Sequence, residues 1–171
     1  DQSQRYLTEK FLIGCFHRFK DFVLVIKTHP QDNGKITDYA YIDSNSPANV
    51  ILIGDKTQKG QINLRNFLLF DHFDFNAAIS SCYGFITSSS SSILQALLLN
   101  IKTGIVDKFD NGFYEYLVTQ KATKLINDEK SLQKFLDTKK SDVTDSILSH
   151  CGLKNNNEEF DEGAYLINCL K

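Results

Sequence analysis

Two short segments combine residue types that can hold a phosphate. The first is Lys27-Thr28-His29-Pro30, where a cation, a hydroxyl and an imidazole follow one another and a proline closes the run. Proline disfavours the helical region for the residue before it, so His29 is biased to extended backbone and its imidazole keeps little orientational freedom. A histidine that donates a proton or a hydrogen bond neutralises the charge that develops on a departing phosphate, and Lys27 adds a positive charge nearby. The same four residues also read as a plain turn in which His29 only ends a strand. The second segment is Thr87-Ser88-Ser89-Ser90-Ser91-Ser92. Hydroxyls, together with the amides and positive dipole end of a helix that follows them, make an anion cradle without glycines. Serine is also a preferred N-cap, and a run of serines can be a low-complexity linker. The apolar YGFIT before the run and ILQALLLN after it argue that the serines lie inside the fold.

Strands must deliver both segments. Tyr6 to Lys20 sets Leu7, Phe11, Leu12, Cys15, Phe16 and Phe19 at helical spacing, the pattern of an amphipathic helix. Phe22 to Ile26 is an unbroken β-branched and aromatic run, the mark of a strand buried on both faces, and Pro30 ends it. After a polar stretch from Gln31 to Asn49, Val50 to Ile53 repeats that pattern before Gly54-Asp55. Asn63 to Phe75 is compatible with a short helix, which Asn76 to Ser81 extends or restarts. Tyr83 to Thr87 reads as a third strand, Ile93 to Asn100 as a helix, Thr103 to Val106 as a fourth strand and Phe113 to Gln120 as a helix. Lys124 to Ile126 follows as a fifth strand, then Glu129 to Leu136 as a helix opened by Asn127-Asp128. Beyond Lys139 the chain turns polar, and Ala164 to Leu170 reads as a closing helix. Strands separated by helices at this spacing form parallel pairs through crossovers, so the expected fold is α/β: a Rossmann-like, doubly wound, mainly parallel sheet. Such sheets bind ligands outside the carboxyl ends of their strands, which is where both phosphate-binding segments fall.

With 171 residues, 42% of them hydrophobic, the chain is expected to form a single domain over 1–171. A formal charge of -2 and a pI near 6.1, with Lys and Arg scattered, argue against nucleic acid as a partner. No segment approaches the roughly 18 apolar residues of a membrane span, and the first ten residues lack signal-peptide features, so a cytoplasmic protein is expected. Cys15, Cys82, Cys151 and Cys169 are widely spaced and form no C-x-x-C pair, which points to reduced, mostly buried thiols. His72, between Phe70 and Phe73, reads as a satisfied or exposed helix residue rather than a catalytic one; His17 and His150 have no companions suggesting metal ligation, and no Asp-x-Asp stands beside a strand, so no obligatory metal is expected. The absence of methionine is read as the mark of a piece cut from a longer protein.

LVIKTHP, a strand ending in Gly-Asp, and GFITSSSSSILQALLLNIKTGIVD together resemble the C-terminal nucleotide-binding half of GT-B glycosyltransferases. The pairing of a histidine-proline motif with a downstream serine motif is similar to the bacterial sialyl-, polysialyl- and Kdo-transferases of capsule synthesis, which use CMP-activated sugars. The CDP-glycerol polymerases of wall teichoic acid look similar too. The likeness runs from about Tyr6 to Leu136. It implies that His29 contacts the donor phosphate and assists departure of CMP, that Pro30 orients it, and that Ser88, Ser89, Ser90, Ser91 and Ser92 bind the same phosphate. It also implies a nucleotide-sugar donor, a glycan or glycolipid acceptor, no cofactor, and work at the cytoplasmic face of the inner membrane. The acidic-pair-glycine motif that supplies the acceptor-activating base in these families belongs to an N-terminal acceptor half, expected outside this chain. Asp161-Glu162-Gly163 spells that motif, but in a polar region beyond the donor segments, and reads as coincidence.

Other candidates for the nucleotide pocket are Thr87, Gln95, Asp110 and Tyr114. Gln95 stands where related transferases often carry a glutamate, so the resemblance implies no ribose-binding carboxylate there. In Phe109 to Tyr114, Phe113 or Tyr114 offers a ring to stack on a base, or else the segment is a turn leading into a core-facing helix. Two rivals stay open: a UDP-sugar transferase or 2-epimerase of the same architecture, and a non-catalytic module that keeps the fold without nucleotide affinity.

Overall fold

Short apolar runs become strands here because neighbouring strands can pair with them. In the computed structural model, residues 2–27, 46–55, 67–70, 74–88, 90–106, 114–138 and 148 are described. The chain divides into two compact units, Asp1–Asp74 and Phe75–Lys171. Among the described residues the strands form two parallel sheets of three, making the protein mixed α/β.

The first unit opens with α1 (Gln2–Phe16), in which Leu12, Ile13, Cys15 and Phe16 are buried. Its sheet runs β1 (Leu24–Lys27), β2 (Val50–Asp55), β3 (Phe67–Phe70) in chain order, with Leu24 beside Val50 and Leu52 beside Phe67. Leu24, Val50 and Leu52, on one face by this register, are buried, while Val25 on the other face is 47% exposed. Asn49 links α1 to this sheet. Its amide nitrogen lies 3.2, 3.1 and 2.9 Å from the carbonyls of Phe16, Phe19 and Phe22, so two N–H groups are shared among three acceptors just beyond the helix end.

The expected helix over 63–75 is corrected at Phe67–Phe70, which is a strand beside β2. Four consecutive apolar residues carry no period of their own, so the pairing partner decides between strand and helix. Among the described residues of this stretch, helix is found at α2 (Phe75–Ser80).

The second unit alternates β4 (Phe85–Thr87), α3 (Ser92–Leu98), β5 (Thr103–Ile105), α4 (Glu115–Thr119), β6 (Thr123–Leu125) and α5 (Glu129–Asp137). The strands are parallel in the order β4, β5, β6, with α3 between β4 and β5 and α4 between β5 and β6 among the described residues. Ile93, Leu94 and Leu97 of α3 meet Ile105, Tyr114, Leu117 and Ala122 in one core cluster. Both α3 and α4 close with Schellman turns. Asn100 (φ 57°) and Lys121 (φ 59°) take the left-handed residue, and Ile101 N–H and Ala122 N–H reach back to the carbonyls of Ala96 and Leu117.

The Asn127-Asp128 start is as expected. Asp128 accepts from the Ser131 amide at 2.7 Å and Ser131 Oγ accepts from the Asp128 amide at 3.0 Å, a capping box. The far end of α5 is held by Lys102, which is only 4% exposed. Its Nζ donates to the carbonyls of Phe135 (2.9 Å), Leu136 (3.0 Å) and Thr138 (2.7 Å), groups that a helix end leaves without partners. Burial pushes the Lys102 amine down to about 8, against the pull of Asp137. Glycine is required beside it: a Cβ on Gly84 would stand 2.8 Å from the tip of the Phe135 ring and 3.0 Å from Lys102 Cε.

Candidate functional site

In the first unit Lys27 is the last residue of β1 and is exposed. Lys27 thus stands at the carboxyl end of a parallel strand, the edge where such sheets take ligands, and Thr28 lies outside the described residues. His29 and Pro30 lie outside the described residues.

In the second unit the serine run fills the connection from β4 to α3. Thr87 ends β4, half-buried, and its carbonyl accepts from Val106 N–H at 2.8 Å, extending the ladder one step past β5. Ser88 follows, half-buried; Ser89 lies outside the described residues. Ser90 and Ser92 are half-buried and share a hydroxyl–hydroxyl bond of 3.0 Å. Ser91 occupies the N-cap position but is exposed and makes no side-chain cap.

The first amides of α3 are already engaged. Ser92 N–H donates to Ser90 Oγ at 3.3 Å, Ile93 N–H to the Ser90 carbonyl at 3.1 Å, and Leu94 N–H to the Ser91 carbonyl at 2.9 Å. The expectation of open helix-terminal amides is corrected by this: the tight turn that carries the serines turns these donors onto its own oxygens. What the run offers a ligand is therefore its hydroxyls, Ser88 and Ser91 first.

Gln95 is half-buried one turn further along α3. It shares the helix stripe of Ser91 and Ser92, while Ile93, Leu94, Ala96 and Leu97 are buried on the opposite side. Tyr114 is different: it is 5% exposed and belongs to the core cluster, so its ring packs among Ile93, Ile105 and Leu117. This is the core-facing arrangement, and stacking of Tyr114 on a base is set aside. Asp110 and Phe113 lie outside the described residues.

Cys15 is buried and Cys82 exposed, its Sγ 3.1 Å from the Ala78 carbonyl, while Cys151 and Cys169 lie outside the described residues. Cys82 lies just past the end of α2, its N–H donating to the Ile79 carbonyl at 2.9 Å. Among the described residues no group of three or more His, Cys, Asp or Glu side chains gathers to hold a metal, and no helix is long and apolar enough to cross a membrane. Sequence reasoning missed Lys102, buried with three carbonyl partners, because a lone lysine carries no signal of burial. Compared with protein families, curated proteins and solved structures, the chain gives no match.

Proposed function

We propose that this chain is the donor-binding half of a GT-B glycosyltransferase that moves a sugar from a CMP-linked donor to a surface polysaccharide or its lipid-linked acceptor. The observation that carries the reading is the serine run between parallel β4 and α3, four hydroxyl-bearing residues of which are described at the carboxyl end of a strand. Neutral hydroxyls there can donate to a phosphate without a metal between them. Strand order also supports it, since the strands of each sheet are parallel and lie side by side in chain order, an arrangement compatible with half of a doubly wound fold.

In this account Ser88, Ser90 and Ser91 hold the donor phosphate through their hydroxyls. His29, with Pro30 fixing its backbone, donates to the phosphate oxygen as the glycosidic bond breaks, so that the negative charge left on CMP is met as it forms. Lys27 raises the local positive potential. The base that activates the acceptor comes from the N-terminal half of the enzyme, and the complete protein works at the cytoplasmic face of the inner membrane.

Base selectivity tests the reading. In calorimetric titration with CMP, CDP, UMP and UDP, the cytidine nucleotides are expected to bind at least about tenfold more tightly, a difference of about 1.4 kcal/mol. A uridine preference points instead to a UDP-sugar enzyme of the same architecture, and no binding by any of the four leaves a donor site that needs its N-terminal half or a non-catalytic module, which the same titration of the full-length protein separates.

A further inference from the structure

We draw no further inference here: the strongest candidate, the exposed apolar face of the first sheet around Val25 and Leu68, carries nothing because nothing in the structure shows what covers it.

Discussion

The ammonium of Lys102 sits 3.5 Å from the centroid of the Tyr83 ring, and both side chains donate to the same oxygen, the carbonyl of Leu136. A cation over a ring face is attracted by the ring's quadrupole, more strongly when water is excluded. The pair thus closes the C-terminal end of α5 and ties it to the segments that lead into β4 and β5.

Replacing Lys102 by Met keeps the length of the side chain and removes all three donors. The carbonyls of Phe135, Leu136 and Thr138 then lose a charged partner, and the second unit is expected to lose about 1–3 kcal/mol in denaturant melts. Tyr83→Phe removes one bond and should cost less, about 0.5–1.5 kcal/mol. Equal stability of Lys102→Met and the parent would show that these contacts contribute nothing.

The same lysine sets a pH dependence. Folding lowers its pKa from 10.5 to about 8, so between those values the unfolded chain binds more protons than the folded one. Stability contributed by Lys102 therefore rises with pH from about 8 to 10.5 and is constant and smaller below 8. The stability gap between the parent and Lys102→Met should widen across that window. A gap that narrows would mean that the three carbonyls and Asp137 outweigh desolvation and hold the proton on.

Lys121 takes a left-handed conformation that costs a residue with a Cβ but costs glycine nothing. Lys121→Gly is expected to stabilise the protein by about 0.5–1 kcal/mol, offset in part by the greater freedom of glycine when unfolded. A thermal melt of the variant shifted downward would indicate that the Lys121 side chain makes contacts worth more than the strain.

Much of the second unit was legible because its signals are local. Asn127-Asp128 reads as a helix start in sequence and is one in structure, where Ser131 completes the capping box, and YGFIT before the serines makes a strand, from Phe85. What failed to show was decided by partners distant in the chain. Phe67–Phe70 becomes a strand through β2, a neighbour that four apolar letters do not name. Tyr114 beside a polar segment reads equally as a stacking ring or a core ring, and Ile93, Ile105 and Leu117 settle it for the core. The serine run was located by its neighbours, yet the turn that uses up its first amides is a matter of backbone geometry that the residue types alone leave open.

The most direct measurement compares CMP with cytidine, by calorimetry, on the parent chain and on the triple variant Ser88→Ala/Ser90→Ala/Ser91→Ala. If the hydroxyls hold the donor phosphate, the parent prefers CMP by about tenfold to a hundredfold, as expected for hydrogen bonds to a charged group. The variant should lose most of that preference while its cytidine affinity stays the same. A preference for CMP that survives the triple substitution unchanged would contradict the account.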